Sequence, residues 1–205
     1  LKLTNVTKTY NKQKLAVDNI SLSIEPGQIV GFIGPNGAGK TTTLKMITGL
    51  LTPDQGTLSI NGYDIADQPL EAKRQFGFVS DDPNAFLKLK GLEYLNFISD
   101  MYDIPSDVRK PLIKEYAELL SLSDVLNQKI ASYSHGMRQK IMVIAALLND
   151  PNLLILDEPL TGLDPQSSYL LKELMKKRAE AGKSVFFSTH VLEVAEKLCD
   201  QIIMI

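Results

Sequence analysis

Residues 34 to 42 read Gly34-Pro35-Asn36-Gly37-Ala38-Gly39-Lys40-Thr41-Thr42. Gly34, Gly39, Lys40 and Thr41 fill the pattern G-x-x-x-x-G-K-[ST] of a phosphate-binding P-loop. The flanks fit the motif. Gln28 to Ile33 read as a short buried strand, and Thr42 to Gly49 as a helix with apolar Leu44, Met46 and Ile47. A strand, a glycine-rich turn and a helix start are the context in which this motif holds phosphate. The plainer alternative is a glycine-rich turn that precedes Lys-Thr by chance.

The chemistry follows from the residue types. Glycines let the backbone fold tightly, so that successive N–H groups point inward at phosphate oxygens. The helix that follows adds its positive N-terminal end to the same spot. Lys40 supplies a full charge for the β- and γ-phosphates, and the Thr41 hydroxyl is a ligand for Mg²⁺. The loop therefore implies a nucleoside triphosphate. It does not say what the energy is used for.

The bulk numbers set bounds on the rest. A chain of 205 residues suffices for one large domain, or a domain with a small subdomain. With 44% hydrophobic and 22% charged residues it has ordinary globular composition. A net charge of −2 and a pI near 5.7 leave no electrostatic footprint for nucleic acid. A single cysteine, Cys199, excludes an internal disulfide and reads as a small hydrophobe at a helix end. The longest apolar run, Ile141 to Leu148, is far short of the ~18 residues of a membrane span. The chain opens on Leu1 and stops inside Ile202-Ile203-Met204-Ile205, so a further C-terminal piece is expected.

Along the chain, Leu1 to Val6 and Leu15 to Ile24 alternate as antiparallel strands do. Thr57 to Ile60 is a short strand between turn signals, and Phe76 to Val79 a core strand. The character changes near Asp81. Leu92, Leu95, Phe97 and Ile98, then Leu112, Ile113, Tyr116, Leu119 and Leu120, carry helical spacing, with Ser106 as N-cap of the second helix. A further amphipathic helix runs from about Gly136 to Asn149. From residue 152 strands and helices alternate again: strand 152–156, helix 166–181, strand 184–188, helix 190–199 and a last strand. The expectation is an α/β fold: a P-loop ATPase core with a mostly parallel sheet, an N-terminal antiparallel β subdomain and a helical subdomain insertion.

A second constellation sits at Asn152-Leu153-Leu154-Ile155-Leu156-Asp157-Glu158-Pro159. An apolar strand ends in two adjacent carboxylates, at the ligand edge of a parallel sheet. One can hold Mg²⁺; the next can take a proton from an attacking water. The alternative is an acidic loop after a buried strand. His190 ends a third apolar run, Ser184 to Thr189, where a histidine is either structural or set beside the other two strand ends. His135 and His190 have no metal-ligand spacing.

In these ordered elements the chain resembles the nucleotide-binding subunit of ATP-binding cassette (ABC) transporters, over essentially its whole length and on the exporter-like side. The resemblance implies a role for each element. Tyr10 stands where an aromatic residue stacks on adenine, and Gly34 to Thr42 is the P-loop. Leu153 to Glu158 is the Walker B strand with Asp157 for metal and Glu158 as catalytic base. Gly162-Leu163-Asp164 is the D-loop, and His190 the switch histidine. The signature Leu-Ser-Gly-Gly-Gln is matched by Tyr133-Ser134-His135-Gly136-Met137, which keeps Ser134 and Gly136 and differs at the other three positions. The family uses this loop in trans, capping ATP held by a second subunit. Asp81 occupies the position of the Q-loop glutamine, an acidic choice found in some exporter-type members, and is a candidate metal ligand with Thr41 and Asp157.

The resemblance also implies ATP and Mg²⁺ as cofactors, with Lys40, Glu158 and His190 as the catalytic set. Its implied partners are an integral membrane permease and a second nucleotide-binding subunit, the same chain or a related one. Nucleic acid is not among them. The chain is expected in the cytoplasm, on the inner face of the cell membrane. Residues 1–205 are expected to form one ATPase domain, with 1–80 and 151–205 as catalytic core and about 81–150 as the helical part. Phe86, Leu87 and Leu89 are either permease contacts or ordinary core. Two other functions stay open: a soluble ABC-type ATPase acting on nucleic acid or ribosomes, and a regulatory nucleotide-binding module.

Overall fold

A computed structural model of the chain describes residues 1–11 and 14–205. Two sheets organise it. The first is antiparallel, in the order β2-β1-β4-β5, from β1 (Lys2–Tyr10), β2 (Lys14–Ser23), β4 (Gln55–Ile60) and β5 (Tyr63–Asp64). The second is parallel, in the order β6-β7-β8-β3-β9. Its strands are β3 (Ile29–Ile33), β6 (Phe76–Val79), β7 (Leu153–Leu156), β8 (Ser184–Thr189) and β9 (Gln201–Met204).

The parallel strands read as unbroken apolar runs because both faces of their sheet are covered. Alternation sends neighbours to opposite sides. Val30, Phe32, Leu153, Ile155 and Phe186 join Leu3, Val6 and Val17 of the antiparallel sheet and Leu44 and Ile47 of α1 (Lys40–Ile47) in one core. Ile29, Leu154, Leu156, Val185 and Phe187 face the opposite way, into a second core. That core is covered by α3 (Gly91–Met101), α4 (Ser106–Leu119), α5 (His135–Leu147) and α6 (Pro165–Glu180). A short α2 (Pro69–Lys73) and α7 (Leu192–Leu198) complete the α-helices described. Phe186 and Phe187 are fully buried on opposite faces. Each contributes about 1.5–3 kcal/mol relative to exposure, so β8 is held from both sides. Where α5 crosses β6, Gly77 allows the approach; a Cβ there would lie 2.1 Å from the Ala146 carbonyl oxygen.

Several sequence expectations shift by a residue or two. The helix after the P-loop starts at Lys40 rather than Thr42. Ser106 is the first helical residue and Pro105 takes the N-cap position, so Ser106 caps nothing. Proline fits there because its φ of −60° and ψ of 151° suit the residue before a helix. Phe97 follows the helical spacing but is exposed, beside Phe86. Leu87 and Leu89 pack partly buried against the second core, and Phe86 stays exposed, stacked on Tyr94 at 5.0 Å.

Register sets the site. Ile33 pairs with Thr189, and Leu156 pairs with both Val79 and Phe187. The carboxyl ends of β3, β6, β7 and β8 thus lie along one edge, and the P-loop, Asp81, Asp157, Glu158 and His190 all leave from it.

Candidate functional site

The P-loop wraps the start of α1. Gly39 is its N-cap residue, at φ 106° and ψ 1°. That conformation disfavours any side chain, and a Cβ on Gly39 would sit 2.3 Å from the Ala16 carbonyl oxygen. The first turn of α1 holds no acidic residue, so its positive end is left for an anion. The Lys40 ammonium is buried beneath the loop. It donates to the carbonyls of Gly34 (2.7 Å) and Pro35 (3.3 Å), and lies 3.5 Å from Glu158 Oε1.

Asp157 and Glu158 follow β7 but face different surroundings. Asp157 is buried, and its N–H donates to the Val79 carbonyl at 2.9 Å. Burial pushes its carboxyl above the ordinary carboxylate range. Hydrogen bonds from Ser188 and Thr41 pull it down, and the charges of Asp81 and Glu158 push it further up. Glu158 bends the chain out at φ 49°, a left-handed conformation that costs about 1–3 kcal/mol for a non-glycine residue. Its Oε2 lies 2.9 Å from His190 Nδ1, while Oε1 points to Lys40. One carboxylate therefore joins the P-loop lysine to the histidine after β8.

A cavity of about 260 Å³ opens over the loop, lined by Tyr10, Ala16, Asn36, Gly37, Gly39, Lys40, Thr41, Thr42, Asp81 and Glu158. It gathers residues from five separate stretches of sequence. Tyr10 borders it with its hydroxyl 3.5 Å from Thr42 Oγ1, and the exposed Asp81 also lines it. Gly34, Pro35 and Ala38 form the frame of the loop, with the Ala38 N–H donating to Pro35. His190 lines the adjoining cavity together with Glu158, Thr161 and Lys172.

Ser134 and Gly136 are not part of either cavity. Ser134 is the N-cap of α5, its hydroxyl accepting the Met137 N–H at 3.3 Å, and Gly136 is the second residue of that helix. His135 packs on the D-loop: a Cβ at Gly162 would come within 3.0 Å of its ring. Asp164 caps α6 by accepting from the Ser167 N–H and hydroxyl.

Two residues escaped the sequence reading. Ser188 donates to Asp157 and accepts from the Glu158 N–H. Its signal was a polar residue near the end of an otherwise apolar strand. Arg138 ties the signature helix to Asn84 Oδ1 (2.6 Å) and to the carbonyls of Ile130 and Ala131. Spacing alone does not link positions so far apart.

The oxygen donors fit a hard cation. Asp157 is a buried carboxylate, with the Thr41 hydroxyl beside it, and Asp81, whose charge acts on it, lines the cavity. No group of three or more His, Cys, Asp or Glu clusters for a metal among the described residues. Mg²⁺ needs none, since one or two carboxylates suffice when phosphates and water complete the shell.

A P-loop at the end of a parallel strand, with paired carboxylates after a second strand of the same sheet, one strand removed, defines a P-loop ATPase. The family model described as ABC transporter matches residues 17–161. The chain is 35% identical over 207 residues to the ABC transporter ATP-binding protein NatA of Bacillus subtilis, covering 99% of this chain and 84% of that protein. It is 40% identical over 208 residues to the Nod factor export ATP-binding protein I of Cupriavidus metallidurans, covering 100% of this chain and 67% of the relative. Its fold matches the dimeric post-hydrolysis structure of the ATP-binding cassette MJ0796 bound to ADP and Pi, with a TM-score of 0.88 and 29% identity. That match covers 100% of this chain and 93% of the other. The chain belongs to the ABC transporter family, as an ATP-binding subunit with ATPase activity.

Proposed function

We propose that this subunit drives export across a membrane by hydrolysing Mg-ATP in a site shared between two nucleotide-binding subunits. It would sit in the cytoplasm, on the inner face of the membrane, bound to a permease. The observation that carries the catalytic reading is Glu158, held between Lys40 and His190 at the rim of the P-loop cavity. Support for export comes from the name of the Nod factor relative, and for pairing from the dimeric cassette. No helix among the described residues is long and apolar enough to cross a membrane, so the reading assigns the membrane path to another chain. Exposed Phe86, Phe97 and Met101 supply an apolar face for contact with it.

Each residue then has a task. Lys40 leaves the Gly34 and Pro35 carbonyls and meets the β- and γ-phosphates, together with the inward N–H groups of residues 34–42. Tyr10 gives an aromatic face to the base. Thr41 and Asp157, with Asp81 within reach of the same cavity, would hold Mg²⁺. When bound, that ion would neutralise the charge on the phosphates. Glu158 accepts a proton from water as its oxygen attacks the γ-phosphorus. The bond from that phosphorus to the β–γ bridging oxygen breaks, leaving ADP and phosphate. His190 orients Glu158 and steadies the γ-phosphate and the attacking water. Positioning and fixed charge supply most of the rate. Ser134 and Gly136, on the exposed end of α5, cap the γ-phosphate held by the other subunit, a contact favoured by about 0.3–1 kcal/mol from the helix end.

The deciding experiment is Glu158→Gln. It should abolish steady ATPase turnover and yield a dimer on ATP addition, seen by size-exclusion chromatography. Normal turnover in this variant would overturn the assignment of the base. Co-purification of a polytopic membrane protein with the tagged chain tests the permease.

A further inference from the structure

Ser188 lies at the penultimate position of β8 and has no solvent exposure. Its hydroxyl makes two bonds of opposite sense. It donates its only proton to Asp157 Oδ1 at 2.5 Å, and it accepts the backbone N–H of Glu158 at 2.9 Å. A serine hydroxyl offers one donor and two acceptor sites, so one side chain can serve both neighbours. Valine, alanine or isoleucine would satisfy the apolar β8 equally well, but could serve neither.

Both bonds fall where the chain leaves regular structure. β7 ends at Leu156, and two residues later Glu158 adopts φ 49°. A left-handed glutamate persists only where its surroundings fix it. The Glu158 N–H has left the β ladder, and Ser188 is the acceptor it finds. The same hydroxyl occupies Oδ1 of Asp157, which fixes the rotation of that buried carboxylate. Thr41 approaches the same carboxylate from the P-loop side.

We infer that Ser188 is a positioning residue for both acidic groups of the site. Through Asp157 it sets the orientation in which metal is received, and through the Glu158 backbone it sets the direction of the catalytic carboxylate. This rests on the reading of Asp157 and Glu158 given above. Groups that orient a metal-binding carboxylate typically change metal affinity or activity by about 10- to 100-fold when removed.

The test uses Ser188→Ala, Ser188→Cys and Ser188→Thr, with Glu158→Gln in parallel. The first readout is ADP affinity by calorimetry, with Mg²⁺ and with EDTA. Ser188→Ala should bind ADP in EDTA within twofold of the parent, and should lose at least tenfold of the Mg²⁺-dependent gain. The second readout is steady-state kinetics. Turnover should fall at least tenfold, with the half-saturating Mg²⁺ concentration rising, and Ser188→Thr should recover most of both. If Ser188→Ala does not fold, Ser188→Cys carries the same test, since a thiol nearly preserves volume but donates weakly.

Equal loss of ADP affinity with and without Mg²⁺ would overturn the inference, because it would mark a merely structural role. So would parental turnover and an unchanged Mg²⁺ requirement in the variant. If Glu158→Gln is inactive while Ser188→Ala is parental, this inference alone fails. If Glu158→Gln turns over normally, the catalytic reading beneath it fails instead.

Discussion

The ammonium of Lys40 lies 3.5 Å from Oε1 of Glu158, so the P-loop lysine and the glutamate after β7 form an ion pair across the site. Both are largely withdrawn from water, with side-chain exposures of 6% and 18%. At such a distance the attraction is about 5 kcal/mol in a medium of effective dielectric 20, before desolvation takes its share. A phosphate arriving at the loop competes with Glu158 for Lys40 and meets its negative charge.

Removing that charge should therefore favour nucleotide. Glu158→Gln is expected to bind a non-hydrolysable ATP analogue about tenfold more tightly than the parent, a gain of about 1.4 kcal/mol. Calorimetric titration without metal is the cleanest measurement. An unchanged affinity would show that the pair opens at no cost to binding.

Asp157 makes a prediction about stability. Burial raises its carboxyl pKa, with the hydroxyls of Ser188 and Thr41 countering and the charges of Asp81 and Glu158 adding. A folded-state pKa above the unfolded one favours folding at low pH. That contribution is lost as pH rises through the folded value. Near neutrality the ionised group thus costs stability. Asp157→Asn should raise the melting temperature at pH 7.5, without nucleotide or metal, and the gain should shrink as pH falls toward the ordinary carboxylate range. A lower melting temperature at pH 7.5 would mean that Asp157 is stabilised by partners that outweigh its burial.

Two P-loop glycines should respond differently. Gly39 and Gly37 both have positive φ, at 106° and 85°. A Cβ at Gly39 would collide with the Ala16 carbonyl, whereas nothing lies within 4 Å of one at Gly37. Gly39→Ala should lose nucleotide binding and lower the melting temperature by several degrees. Gly37→Asn, a residue that tolerates left-handed backbone, should keep its fold and bind within about tenfold of the parent. Equal damage at both positions, by thermal melting and nucleotide titration, would show that backbone conformation rather than the Ala16 contact limits the loop.

Much of this was legible in the chain because the chemistry is local in sequence. Gly34 to Thr42 carries loop, charge and helix start in nine consecutive residues, and the apolar runs at β3, β7 and β8 announce strands buried on both faces. The contacts between distant elements were not legible. That Ser188 reaches Asp157 depends on β7 and β8 pairing Leu156 with Phe187. That Arg138 reaches Asn84 depends on how α5 packs against the loop after β6. Helix starts also slipped where the rule names a residue type and geometry decides. Ser106 looks like a cap, yet Pro105 already holds the extended conformation the cap position needs.

The signature loop offers a test of whether the site is shared. Ser134 accepts the Met137 N–H at 3.3 Å, a long bond, so its loss as N-cap should cost about 0.5–1 kcal/mol. For a domain of this size that lowers the melting temperature by about 1–4 °C. The hydroxyl lies outside the P-loop cavity of its own chain, which Tyr10, Lys40, Asp81 and Glu158 border. Ser134→Ala should therefore leave ATP binding by the lone chain within twofold, measured at concentrations where the chain is monomeric. Turnover at high protein concentration should fall at least tenfold, because the second subunit's ATP loses its cap. Mixing Ser134→Ala with Lys40→Ala sharpens the point. One composite site then carries both defects and the other carries neither, so the mixture should regain part of the activity that each variant lacks alone. If the mixture stays as inactive as its components, either both sites must be intact for turnover or Ser134 serves the ATP of its own chain. Parental nucleotide affinity in the monomeric Ser134→Ala chain selects the first, and a matching loss of affinity selects the second.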